Sequence, residues 1–490
     1  MKLFLLLILQ FIQIINAKLD RSKIMRELNR SVYAYDGVNA SDPERYLRDY
    51  LWVKSSTVLI LDGVVVVDKH FIHYAATQEK IDKHLAFVTS VATKLPNAVY
   101  QFSDDSTGVC HAGDPCLVIA KSHAARDGVM IPNPYFANVD DWRDFRAVLQ
   151  RAANARPWEH RRKRAFWRGS ISPHDDKNHR EADCLKNFGS FARLAAAAQT
   201  LAAPNEVDVK CLSHAPPHPC ALRKDPHFCD GVEGAPPQNY TEAIAAAVRS
   251  PEKITAKGPS NQVDYAAYRF LLNLPGSTHG SYSWNLNHLW SLGSVVLQWD
   301  MDAVEFYYPA LEDGATHVVV DAETLAPTVK ALQGDAARAK ALRDGAREVH
   351  REVTCPECLA GYFGDVLRAI RERWGTARLL DDPCALRDFF ADPATAAAVG
   401  CGDLELVEIQ SAARGKLEHR NQGWRHSLGS RGKRRLRGHH HRGRKHSETL
   451  ETASHYGQLT RARMDAKPLY EAFEGCGWIV HHAGKLCDAR

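Results

Sequence analysis

An α/β layered fold is the expectation from this sequence, and three observations carry it. Segments of helical period alternate with short apolar runs from residue 18 to about 350. Later runs such as Val295 to Leu297 are near-continuously apolar, as parallel strands covered on both faces are. Tyr268 to Leu311 reads as a strand, a Pro/Gly/Ser loop (Pro275 to Ser283), a short helix (Trp284 to Ser291), a buried strand and an acidic aromatic turn. Strand, small-residue loop and helix in that order present backbone N–H groups to a phosphate, so the fold expectation points to a nucleotide or nucleotide-sugar site.

The elements follow in order. Residues 18–160 form a first α/β unit, with helices over Glu44 to Tyr50 and Gln78 to Thr93. Its strands are Thr57 to Leu61, Val64 to Val67, Ala98 to Phe102 and Cys116 to Ala120. Asp140 to Ala153 is a helix opened by two acids, with Trp142, Phe145, Val148 and Leu149 on one face. A linker near Arg156 to Arg164 leads to the second unit, residues 161–375. Its strands are Ala165 to Arg168, Val207 to Lys210, Tyr268 to Leu274, Ser294 to Trp299 and Thr316 to Val320. Helices are expected over Ala192 to Leu201, Thr241 to Val248, Ala336 to Gly345 and Cys358 to Trp374. Residues 376–414 are an extension. Residues 415–446 are a basic low-complexity linker expected to be disordered, and 447–490 a small cysteine-containing tail too short to hold a core alone.

At 490 residues, 45% hydrophobic and 25% charged, the composition is that of a globular protein of two or three domains. The net charge of +5 is local: Arg431 to Lys445 holds eight Lys/Arg and no acid, so the remainder is near −3. A near-neutral body makes no nucleic-acid partner expected. Residues 1–17 read as a signal peptide: Lys2, an apolar stretch from Leu3 to Ile15, and Asn16-Ala17 as the cleavage site. That stretch is shorter than the ~20 residues of a membrane-spanning helix. Twelve cysteines and the sequons at Asn29, Asn39 and Asn239 agree with a lumenal or secreted, disulfide-bonded protein.

Chemistry is expected at strand ends, where open α/β sheets place their sites. Asp104, with Asp105 as its alternate, follows the strand containing Val99 and Phe102 and is a candidate general base. Arg168 can fork onto diphosphate oxygens, Gly169 permits close backbone approach, and Ser170 donates a hydrogen bond. Gly276, Ser281 and Ser283 bring small residues to a helix start, where the serines can cap it or bind phosphate.

The segment Phe166-Trp167-Arg168-Gly169-Ser170-Ile171-Ser172-Pro173, followed by Tyr265 to Leu274, Gly276 to His288, Gly293 to Val296 and Glu305 to Leu311, resembles glycosyltransferase family 90. That family holds the protein O-glucosyltransferases of the secretory pathway and the fungal capsule-associated xylosyltransferases. Val99 to Asp104 is similar to a family strand ending in a catalytic aspartate. The resemblance covers roughly residues 90 to 375. It implies two facing Rossmann-like lobes of GT-B type and an inverting transferase that works without a metal cofactor. The donor it implies is a UDP-sugar, UDP-glucose or UDP-xylose, and the acceptor a hydroxyl of a protein or polysaccharide. Asp104 or Asp105 would then be catalytic. Arg168, Gly169, Ser170, Gly276, Ser281, Ser283, Asn285, His288 and Glu305 would bind the donor. The family has an arginine just inside the helix, where this chain has Trp284 and Asn285; His279 and His288 are the nearest substitutes.

Other patterns have plainer readings. Asp300-Met301-Asp302 has the form of a cation-holding Asp-x-Asp, but three-residue acidic patterns are common by chance. Cysteines and histidines between Cys211 and Cys229, and the pair Cys355-Pro356-Glu357-Cys358, read as disulfide structure ahead of zinc or redox chemistry. The run Arg431 to His446 suits acidic glycans or an anionic membrane surface, or serves as a solvated spacer. The alternatives to a transferase are an inactive glycan-binding relative and a secreted basic-tail scaffold.

Overall fold

A computed structural model describes residues 19–34, 43–44, 47, 57–68, 78–103, 116–122, 128–170, 188–212, 247, 251–256, 260–276, 285–301, 303–382, 385, 388–389, 392 and 404–406. Within them lie two six-stranded sheets and a two-stranded ribbon. The first sheet uses β1 (Thr57–Leu61), β2 (Val64–Asp68), β3 (Ala98–Ser103), β4 (Cys116–Val118), β6 (Val129–Met130) and β14 (Leu404–Leu406), in the order β14-β2-β1-β3-β4-β6. It is mixed: β1 pairs antiparallel with β2 and β3, and β3, β4 and β6 run parallel. Helix α1 (Arg21–Tyr33) is capped by Asp20, which accepts from the Ser22 N–H, and buries Ile24, Leu28 and Val32 at four-residue spacing. Helices α2 (Gln78–Val91) and α3 (Val139–Asn154) complete this half; Asn138 caps α3, and Trp142 and Leu149 are buried.

The second sheet is parallel throughout. It holds β7 (Arg162–Gly169), β8 (Val207–Leu212), β9 (Thr255–Ala256), β10 (Tyr268–Asn273), β11 (Val295–Trp299) and β13 (Val318–Val320), in the order β13-β11-β10-β7-β8-β9. Numbered by their own succession, the strands lie 3-2-1-4-5-6. Chain direction across the sheet therefore reverses between β7 and β10. Helix α4 (Phe188–Ala202) lies against β8, and α5 (Pro251–Ile254) precedes β9. α6 (Asn285–Leu289), α7 (Leu325–Gly334) and α8 (Ala336–Glu352) follow. Val295, Leu297, Phe270 and Leu272 are fully buried on the face that packs with α4 and α7 residues. Leu271 and Val296 enter the core shared with the first sheet.

Several ties join the two halves. β5 (Lys121–Ser122) pairs antiparallel with β12 (Ala303–Val304). Helix α9 (Pro356–Trp374), expected as the end of the second unit, packs on α1 and α3 of the first. Its Tyr362 donates to the Met130 carbonyl at 2.8 Å, and Phe363 meets Phe87 and Tyr100 edge to face. Helix α10 (Ala377–Asp381) follows, and β14 returns to the edge of the first sheet beside β2. Cys355 and Cys358 are disulfide-bonded at the start of α9, and Cys116 and Cys211 are also held in disulfides. Among the described residues no helix is long and apolar enough to cross a membrane. The signal segment 1–17 and the basic linker 415–446 lie outside the described residues.

Candidate functional site

The carboxyl ends of β7 and β10 are neighbours, and from them the chain departs in opposite directions, to β8 and to β11. In open α/β sheets the strand ends at such a reversal are the usual ligand position. β7 ends at Gly169 and continues to Ser170; β10 ends at Asn273 and continues through Leu274 and Pro275 to Gly276. Arg193, from α4, fastens the two exits together. Its Nη1 donates to the Ser170 carbonyl at 2.7 Å and its Nε to the Pro275 carbonyl at 2.9 Å. Burial pushes its pKa down to about 10, so the guanidinium stays charged beneath both loops at neutral pH.

Arg168 is turned to protein. Its Nη2 pairs with the Asp208 carboxylate at 2.6 Å, and its Nη1 donates to the Asp208 and Trp167 carbonyls. Both side chains of the pair are 12% exposed. Burial alone would raise the Asp208 pKa. Arg168, and a 2.8 Å hydrogen bond from the Tyr268 hydroxyl, outweigh it and hold the carboxyl below its ordinary value. The Tyr265 hydroxyl bridges the Arg168 main chain, accepting from its N–H at 3.0 Å and donating to its carbonyl at 2.9 Å. Gly169 has a different reason from the one its sequence position implied. A Cβ there would lie 2.3 Å from Cζ2 of the buried Trp167 indole, so the space a side chain would need is filled by the protein itself.

Behind the strand ends lies a buried polar group. Glu305 is fully buried; its Oε2 accepts from Asn133 Nδ2 at 2.6 Å and its Oε1 from the Tyr308 hydroxyl at 3.2 Å. Burial raises its pKa to about 7 against those two hydrogen bonds. Asn133 and Asn287 exchange amide hydrogen bonds at 2.9 and 2.8 Å, tying the first half of the chain to α6. Each oxygen of Glu305, expected to bind the donor, thus already accepts from a protein donor. His288 is also buried, edge-on to Tyr265, and burial pushes its pKa down to about 3. It is neutral at physiological pH and supplies no positive charge at α6.

Asn273 and Gln298 are adjacent in the β10–β11 register. They share a face with Leu271 and Val296, toward the first sheet. Both amide atoms of Asn273, and Oε1 of Gln298, are buried without a hydrogen-bond partner. Gly276, three residues beyond Asn273 in sequence, is half-buried, and Asn285 opens α6. Asp104, Asp105, Ser281, Ser283 and Asp302 lie outside the described residues, as does the side chain of Asn285; β3 ends at Ser103, one residue before Asp104.

Sequence reasoning gave no role to Arg193, Asp208 or Asn133, or to Tyr265 and Asn287 within the resembling segments. Arg193 alone had a readable signal, a single charge in the otherwise apolar run Phe191 to Ala198. The others are ordinary polar residues until the fold brings them together. No protein-family model matches the chain, and no curated protein matches it.

Proposed function

We propose that this chain is an inverting, UDP-sugar-dependent glycosyltransferase of two facing Rossmann-like lobes. It moves glucose or xylose to a hydroxyl of a protein or polysaccharide in the secretory pathway. The observation that carries the reading is the junction of Ser170 with Pro275 under Arg193, at the point where strand order reverses. The strands β7 and β10 of two segments that resemble the family, far apart in sequence, end side by side there. The bonded cysteines support an oxidising compartment.

In this mechanism the diphosphate lies over the main-chain N–H groups that follow β7 and β10. Arg193 sits behind the carbonyls of those loops and biases them toward negative charge. Arg168 and Asp208 neutralise each other, so Arg168 shapes the loop and main-chain dipoles carry the leaving-group charge. Asp104, or Asp105 beside it, takes the proton from the acceptor hydroxyl as its oxygen attacks the anomeric carbon and UDP departs from the opposite face. A second reading, a glycan-binding relative that transfers nothing, is favoured by the commitment of Arg168 to Asp208 and by the neutrality of His288.

The test is a pair of measurements on the purified protein. UDP should raise the melting temperature equally with and without EDTA, and UDP-glucose or UDP-xylose should release UDP in the presence of acceptor. A shift without release assigns the second reading. Neither a shift nor release ends both.

A further inference from the structure

On the opposite edge of the parallel sheet, where β7 and β11 begin, lies a cleft of about 870 Å³. β7 alone separates it from the Ser170 end by roughly 26 Å, at about 3.3 Å per residue over its eight residues. Six arginines line the cleft: Arg146 on α3, Arg156 and Arg161 between α3 and β7, and Arg343, Arg347 and Arg351 on α8. The last three recur every four residues and form one stripe along the helix. Glu159 is the only carboxylate among the lining residues.

The cluster is built rather than incidental. Arg161 is buried, and its guanidinium donates to the carbonyls of Ala153, Arg156 and Leu292 at 2.8–2.9 Å, which fixes it at the cleft floor. Arg343 stacks on Trp158 with its Cζ 4.2 Å from the ring centre, and Arg269 lies over the same ring at 5.1 Å. Arg146 donates to the His350 carbonyl. The acids near the stripe pair with its outer members: Asp344 with Arg347, and Glu352 and Glu348 with Arg351. Burial first, then Arg343, Arg347 and Arg156, lower the Arg161 pKa to about 10, against a smaller opposing pull from Glu159. Gathering like charges is unfavourable to the folded protein, and a bound anion reverses the sign of that interaction.

We propose that this cleft is a second binding site, for a ligand carrying two or more phosphate or sulfate ester groups. Guanidinium forks match tetrahedral oxyanions in geometry and charge. With Arg161 held by protein acceptors at the floor, the other five spread over this volume still exceed what one such group can contact. The site stands independently of the transferase reading, because it shares no residue with the Ser170 edge.

Isothermal titration with tripolyphosphate, and separately with a heparin-derived hexasaccharide, tests it. The protein is the full chain with the eight Lys/Arg of residues 431–445 changed to Gln, so that this basic run does not bind the probes. Saturable binding of either probe is expected. It should weaken at least tenfold in Arg347→Glu/Arg351→Glu and in the milder Arg347→Gln/Arg351→Gln, and remain unchanged in Asn273→Val at the other edge. Arg347 and Arg351 have side chains 52% and 67% exposed, so both double variants keep the fold, as circular dichroism would verify. Preference for tripolyphosphate identifies a phosphorylated ligand, and preference for the hexasaccharide a sulfated glycan. Failure of both probes to bind, or equal binding by the folded double variants, overturns the proposal.

Discussion

Asn273 and Gln298 stand side by side at the ends of β10 and β11, both turned into the interior, and between them they leave three buried amide atoms without a partner. A buried unsatisfied polar group costs about 1–3 kcal/mol. Natural proteins keep few of them, and mostly where something other than stability is selected. Asn273→Val, close in volume and suited to a strand, should therefore raise the urea midpoint, by about 1 kcal/mol in stability. A lower midpoint would mean that the amide is satisfied in solution.

Glu305 makes stability depend on pH in the direction opposite to the usual carboxylate. Its folded pKa of about 7 exceeds the unfolded value of 4.5, so the folded state holds the proton more tightly. Its contribution is complete below about pH 4.5 and is lost as pH rises through 7. The full span is about 3 kcal/mol by the conversion from pKa to free energy. Glu305→Gln keeps an acceptor for Asn133 and should flatten this part of the stability profile. Urea unfolding of wild type and variant between pH 4.5 and 8 gives the comparison, and parallel slopes would refute the assignment.

Gly169 should tolerate no methyl group while Trp167 is present. Gly169→Ala is expected to destabilise by about 1–3 kcal/mol, the range for an overpacked core. Combining it with Trp167→Leu should recover part of that loss, giving a coupling well above additivity in a double-mutant cycle. Additive effects would place the constraint elsewhere than the indole.

Much of this architecture is legible in the sequence because local pattern and tertiary environment agree. The strands beginning at Thr57, Val207 and Tyr268 start where their apolar runs start. Val139–Asn154 matches its acidic opening and apolar face to within a residue at each end. The helix expected over Trp284 to Ser291 is instead five residues of α-helix and a 3-10 turn, ended by Gly293 in the left-handed region. Helix α1 was missed because its apolar stripe is only Ile24, Leu28 and Val32 among charged neighbours. The site was legible as two strand ends but not as a junction. Arg193 reaches Ser170 and Pro275 through space, and no spacing rule connects the three. Nor does local sequence reveal that Arg168 prefers Asp208, forty residues on, to a ligand.

The Cys355–Cys358 bridge closes a very short loop, so its removal should be mild. Replacing Cys355 by Ser and Cys358 by Ala is expected to lower stability by about 2 kcal/mol on the chain-entropy model. Ser at 355 can keep the cap, since Cys355 Sγ now accepts the Cys358 N–H at 3.0 Å. Thermal unfolding with and without reductant measures this, and a loss of folding altogether would show that the bridge organises α9.

The strand Leu404–Leu406 has a protective role that its brevity conceals. It pairs with the Val66–Asp68 part of β2, a strand whose sequence Val64-Val65-Val66-Val67 is all β-branched. A chain ending just ahead of residue 404 would leave the main-chain edge of Val66–Asp68 open to pairing with other copies. Such a product would associate through that edge more readily than the full chain.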